Sequence, residues 1–371
     1  MASNLTKDEY RQHFLISTNA LDPEYNDSFL TTDDRYPAKD LNLIDELVHK
    51  IIDSEGVLFH IEKHNRIECK KPKIFIELKR LIDSEIYRSI NRSFPIHTFN
   101  PYVQLFFRNL EDKLGWRIPL EIDCSNDVLM QSVDTLNQFI DSIRKEAKSP
   151  EFKKTLSNYN RSSDKNFDSL DKYIKKLFLK HTRLMVLRID LGYKKDYYLQ
   201  NEEQRKEMYL QAVNDRENFF KKRGANLLSK KLFKHMLGYA WKLEFGFEKG
   251  FHYHVFLFFD GSKRWKDKFR AKKIGEYWQN NITKGKGLFH SCNANKGSYK
   301  YLGIGVINDD DVKLREGLKK AAEYLTKADS YNVRIITPDK GRAFGKGEVT
   351  AKSNKGRPRI RPRVRANSSP T

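Results

Sequence analysis

Two histidines one residue apart, His252 and His254, stand in the run Gly250 to Asp260, whose aromatic and β-branched residues read as a strand. Side chains alternate along a strand, so both imidazoles project from one face while Tyr253 and Val255 face the other way. Such a pair offers two nitrogen ligands to a divalent metal. The preceding run, Tyr239 to Phe247, also reads as a strand, and Glu248-Lys249-Gly250 as a short loop between the two. With a three-residue loop, Phe247 opposes Phe251, Gly246 opposes His252 and Glu244 opposes His254, which makes Glu244 the third ligand. A two-residue loop moves Glu244 opposite Tyr253 and off the histidine face, so the ligand set depends on register. An isolated pair on a half-exposed strand binds nothing as readily as it binds a metal; the facing carboxylate favours the metal.

A second constellation lies in Lys320-Ala321-Ala322-Glu323-Tyr324-Leu325-Thr326-Lys327. On a helix, Leu314, Leu318, Ala321 and Leu325 make a buried stripe, and Lys320, Tyr324 and Lys327 share the neighbouring face. A tyrosine between two ammonium groups has its phenolate favoured, and an anionic phosphate would be held there. A tyrosine flanking an apolar stripe is more commonly an edge-of-core residue, so this segment gains meaning only beside the metal ligands. His290 and Cys292 also alternate and could act as softer ligands, but with no third ligand in view they read as packing residues. Asp190, ending the apolar run Leu184 to Leu191, is a further carboxylate that could approach the site.

The elements that must position these residues follow from periodicity. Residues 1–150 read as a mostly helical region, with apolar stripes over Leu41 to Ile52 and Val128 to Ile143 and no catalytic constellation. Lys148-Ser149-Pro150 ends the second stripe, and the polar stretch Ser157 to Asp164 reads as a linker or surface loop, placing a domain boundary near 150–170. Then come a central strand over Leu184 to Leu191, a helix from Glu202 to about Arg223 capped by Asn201, the hairpin, a basic aromatic helix from Ser262 to Trp278, short strands at Leu288 to Cys292 and Tyr301 to Val306, and a last helix from about Asp311 to Lys327. An α+β domain over 170–340 results, with an antiparallel sheet of about five strands and helices packed on one face. Residues 341–371 are basic, rich in Gly and Pro, and read as a disordered tail. Its Arg357, Arg359, Arg361 and Arg363 suit either nonspecific phosphate contact or a minor-groove hook.

Composition narrows the function class. Residues 1–150 hold 20 Lys and Arg against 25 Asp and Glu, a net of −5, so the remaining residues carry +26 of the total +21. A basic balance confined to one part points to a polyanion, and to nucleic acid first, although a solvated basic face is the plain alternative. No apolar stretch is long enough to span a bilayer and the N-terminus lacks a signal-peptide layout, so a cytoplasmic location is expected. Cys69, Cys124 and Cys292 are too scattered for a disulfide framework or a structural zinc site.

A first strand, a His-x-His strand with a facing upstream Glu, and a helix with Tyr-x-x-Lys together resemble the HUH endonucleases, the class of rolling-circle replication initiators and conjugative relaxases. Trp241 to Asp260, Phe289 to Asn293, Gly303-Ile304-Gly305, Glu323 to Lys327 and Arg342 to Gly345 are more narrowly similar to inovirus-type replication proteins of phages and prophages, the YagK/YfjJ C-terminal family. The resemblance covers about residues 180–346. It implies an RRM-like HUH fold in which His252, His254 and Glu244 hold Mg²⁺ or Mn²⁺ and Tyr324 attacks single-stranded DNA. A free 3′-OH and a 5′-phosphotyrosine result, with Lys327 positioning the phosphate or stabilising the phenolate. It further implies rolling-circle replication of a phage or prophage element in a bacterial host, with single-stranded DNA and origin duplex as partners. Position 328 is Ala and Tyr331 falls past the helix, which implies one nucleophile. No G-x-x-x-x-G-K-[ST] loop is present, so unwinding falls to a host helicase beside a host polymerase. Rival readings are a relaxase, a transposase-like strand transferase, a catalytically silent DNA-binding regulator and, more remotely, a small-molecule phosphodiesterase.

Overall fold

A computed structural model describes residues 35–349, apart from 63–65, 83, 116–125, 195–201, 247–249, 327–332 and 338–340. The N-terminal part contains α1 (Arg35–Ile52), the hairpin β1 (Phe59–Glu62) and β2 (Arg66–Cys69), α2 (Pro72–Leu81), α3 (Ser84–Ser93), β3 (His97–Phe99), α4 (Pro101–Asn109) and α5 (Asn126–Ala147). Asn100 caps α4, its side chain accepting from the backbone of Tyr102 and Val103. Leu41, Ile44, Leu47 and Val48 of α1 meet Phe106 of α4 and Phe139 of α5 in a core that excludes water completely.

The next element is α6 (Pro150–Lys180), started by Ser149, whose hydroxyl accepts from Phe152 N, and by Pro150 in the first turn. It corrects the linker expected at Ser157 to Asp164, which is the exposed middle of this continuous helix. Polar composition there reflects solvent on nearly every side. The helix is secured at its ends, by Phe152 in the N-terminal core and by Leu170, Tyr173, Ile174, Leu177 and Phe178 in a second core.

The remaining elements are β4 (Arg183–Tyr193), α7 (Glu202–Lys221), α8 (Leu227–Phe233), β5 (Met236–Gly246), β6 (Gly250–Asp260), α9 (Asp267–Tyr277), β7 (Gly287–Ser291), β8 (Gly305–Asn308), α10 (Val312–Thr326), β9 (Val333–Ile335) and β10 (Phe344–Lys346). Six strands form one antiparallel sheet in the order β10-β5-β6-β4-β7, with β8 sharing the outer edge of β4 with β7. The β4 and β6 sequences are nearly continuous in large apolar residues because these strands are central and covered on both faces. On one face, Met185, Leu187 and Ile189 pack with α7, α8 and α9. On the other, Leu184, Val186, Phe256 and Phe258 pack with α6 and α10. The expectation of helices on one face is thereby corrected: alternation along β4 supplies large apolar side chains to both. Burying each such side chain is worth about 1.5–3 kcal/mol relative to leaving it in water.

Two further differences bear on the site. Part of the tail expected over 341–371 is ordered, since Phe344–Lys346 pair with Ala240–Lys242 as an edge strand; residues 350–371, with Arg357, Arg359, Arg361 and Arg363, lie outside the described residues. The N-terminal part is joined to the sheet region by β3, whose His97–Phe99 pair antiparallel with Val333–Ile335 of β9. Cys69 and Cys292 are buried free thiols. Among the described residues no helix is long and apolar enough to cross a membrane.

Candidate metal centre and tyrosine site

The hairpin of β5 and β6 places Glu244 directly opposite His252, Lys242 opposite His254 and Gly246 opposite Gly250. This is two residues away from the expected register, in which Glu244 opposed His254 and Gly246 opposed His252. Residues 247–249 lie outside the described residues, and Gly250, which the expected loop included, takes a φ of 59° and already belongs to the strand. A slide of two preserves the face, so Glu244 stays with both histidines.

Both rings have Nδ1 engaged, as a metal ligand bound through Nε2 needs. His252 Nδ1–H donates to the Gly250 carbonyl at 3.0 Å and His254 Nδ1–H to Asp190 Oδ1 at 2.6 Å, which turns both Nε2 atoms toward Glu244. Glu244 Oε2 lies 3.2 Å from His254 Nε2 and 3.7 Å from His252 Nε2. The three donor atoms lie within 4.8 Å of one another, the one such group of three or more His, Cys, Asp or Glu side chains among the described residues. Two imidazole nitrogens and a carboxylate oxygen at these separations fit one face of a hard or borderline divalent cation's coordination shell.

Electrostatics agree with the geometry. Burial opposes the charge on Glu244, but Lys242, His254 and His252 outweigh it and hold the carboxyl well below its ordinary range. Burial likewise opposes a charge on His254, yet Asp190 and Glu244 raise its pKa to about 9. In the metal-free protein His254 is an imidazolium between two carboxylates, and a cation would take the place of its Nε2 proton. Burial opposes the charge on the half-buried Asp190 too, with His254 and Arg188 keeping it ionised.

Tyr324 is carried by α10 onto this same face, its ring centroid 6.5 Å from that of His254. A close backbone crossing sets the helix there: a Cβ on Gly317 would stand 2.0 Å from the Leu302 carbonyl oxygen, and one on Gly303 would stand 2.2 Å from Gly317 C. Leu318, Ala322 and Leu325 are buried beneath the helix, while Leu314 and Ala321 of the expected stripe are only partly buried. A cation that meets the tyrosine among the described residues is Arg188 of β4, its guanidinium carbon 5.0 Å from the ring centroid. Lys320 places its ammonium over Tyr301, 3.4 Å from that ring, and Lys327 lies outside the described residues.

Three residues that sequence reasoning did not assign therefore join the site. Asp190, weighed only as a possible approach, orients His254. Arg188 is 6% exposed, and its Nε has no hydrogen-bond partner among the described residues. Lys242 is buried with Nζ 2.7 Å from Glu244 Oε1. The parity of Lys242-x-Glu244 could have revealed the lysine, whereas Asp190 and Arg188 reach the site only because β4 lies beside β6. His290 and Cys292 form no rival centre: His290 opposes Asp190 across β4 and β7, and the Cys292 thiol is pushed up to about 12 by burial and by Asp190. The chain matches the YagK/YfjJ C-terminal domain family over residues 117–347. No curated protein and no solved structure matches it.

Proposed function

The chain belongs to the YagK/YfjJ C-terminal domain family, and from that membership and the site we propose an HUH-type endonuclease and strand transferase. It nicks and rejoins single-stranded DNA to start rolling-circle replication of a phage or prophage element. The observation that carries this reading is the convergence of His252 Nε2, His254 Nε2 and Glu244 Oε2 on one sheet face beside Tyr324, with Arg188 against the tyrosine ring. Mg²⁺ or Mn²⁺ bound by the three donors would draw charge from the scissile phosphate.

Each residue then has a task its surroundings suit. Tyr324 Oη attacks phosphorus, a P–O bond to the tyrosine forms as the P–O3′ bond breaks, and the departing oxygen takes up a proton to become a 3′-OH. One phosphoester is exchanged for another, so rejoining needs no nucleotide cofactor. Arg188 favours the phenolate through its charge beside the ring. Lys242 keeps a positive charge beside the ligands. Asp190 holds the His254 ring in its ligand orientation. A relaxase or transposase-like enzyme would use the same groups on different DNA.

Incubation with end-labelled single-stranded origin DNA and Mn²⁺ should yield a covalent protein–DNA adduct that EDTA prevents and Tyr324→Phe abolishes without weakening binding. Equal adduct from wild type and Tyr324→Phe would remove the nucleophile assignment. Binding without cleavage under any metal would leave a DNA-binding regulator.

A further inference from the structure

The sheet face away from Tyr324 carries a surface that the reaction above does not use. Residues 262–273, which lead from β6 into α9, contain seven lysines and arginines and one acid, Asp267. That acid is buried and committed, its Oδ2 accepting from Lys296 Nζ at 2.8 Å and from Asn293 Nδ2 at 3.0 Å; Lys263 and Lys273 pair with Asp260 and Glu276 beside the segment, and the segment keeps an outward positive balance. Lys263, Lys266, Lys268 and Lys272 are exposed. Among them stand two large rings, Trp265 at 65% and Phe269 at 62% exposure. The core does not call for either one: α9 buries Ala271, Ile274 and Tyr277, and Arg270 turns inward over the Phe259 ring at 5.4 Å.

A single exposed apolar side chain needs no explanation. A tryptophan and a phenylalanine four residues apart within a dense lysine cluster combine the two features that bind an unpaired strand, a flat ring for a base and a cation for the phosphate beside it. A duplex hides its base faces and has no use for the rings. A bilayer surface would want a continuous apolar helix face, and here that face is turned into the core. We propose that Trp265 and Phe269 form a stacking platform for bases of single-stranded DNA, with the surrounding lysines holding the backbone, on the sheet face remote from Tyr324. The strand is the one the proposed reaction would act on, and the inference rests on that reading for its substrate, although the binding can be scored without the chemistry.

The test uses the full chain in EDTA with a fluorescent oligothymidine of about fifteen nucleotides, followed by anisotropy. Trp265→Ala and Phe269→Ala should each weaken binding about tenfold and leave its salt dependence unchanged, while Trp265→Phe should keep most of the affinity. Lys266→Ala together with Lys268→Ala should flatten the salt dependence, and a duplex of equal length should be insensitive to loss of the rings. Wild-type affinity for the oligothymidine in the Trp265→Ala, Phe269→Ala pair overturns the platform. So does a pair whose only defect is in binding vesicles of anionic lipid. In parallel, Tyr324→Phe should bind the oligothymidine normally and fail only to form adduct with Mn²⁺, so a missing platform and a missing nuclease give different patterns.

Discussion

His254 is asked to be an imidazolium in the free protein and a neutral ligand when a cation is held, and both states have measurable consequences. Its pKa in the fold, about 9, exceeds the unfolded value of about 6.5. The stabilisation from its charged form is therefore complete below about pH 6.5 and disappears as pH rises through about 9. In EDTA, urea unfolding should show a loss on the order of 3 kcal/mol across that window, and His254→Ala should flatten it. The same proton competes with a cation, so Mn²⁺ affinity should rise over the same range with a proton released on binding. Calorimetry showing equal Mn²⁺ affinity at pH 6 and pH 9 would argue against His254 as a ligand. Asp190→Asn should cost about 10–100-fold in Mn²⁺ affinity while leaving the far-ultraviolet dichroism intact. At Arg188, substitution by Met removes a buried charge without leaving a cavity; folding should survive and adduct formation should not.

Among the elements, what was readable from sequence is what alternation alone determines. His252, His254 and Glu244 share a face at any even slide of the hairpin, so their grouping was legible although the pairing was off by two residues. Tyr324 was legible as a helical residue, but not the neighbour that matters to it, because Arg188 arrives from a strand more than a hundred residues earlier in the chain. The polar middle of α6 misled for a physical reason: a helix held at both ends has no need of an apolar stripe between them. Its continuity can be tested with Asn160→Pro, which a linker would accept and an unbroken helix should not; about 3 kcal/mol of stability should be lost. The glycine crossing under α10 is similarly exacting. Gly317→Ala sets a methyl against the Leu302 carbonyl and should lower stability by about 1–3 kcal/mol, together with adduct yield, because it displaces the tyrosine's own helix.

For the whole molecule, the continuous α6 and the pairing of β3 with β9 both tie the N-terminal part to the sheet that carries the candidate site. His97 of β3 is buried between Phe94 and Phe245, the residue after Glu244, and burial pushes its pKa down to about 4, which keeps it neutral. Removing residues 1–150 should therefore impair adduct formation even on a minimal single strand that offers no duplex to recognise. Undiminished nicking by the truncated chain would show these contacts to be dispensable.

The pairing of β3 with β9 also sets an order in time. His97–Phe99 leave the ribosome early, and their partner Val333–Ile335, which follows the tyrosine helix, comes near the end of the described chain. A three-residue strand waiting for so distant a partner closes late, since the chain between them must first be made and folded. A nascent chain thus has its histidines and carboxylates made before Tyr324 has even been synthesised, and β9, beyond that tyrosine, is fastened when a strand made early receives one of those made last.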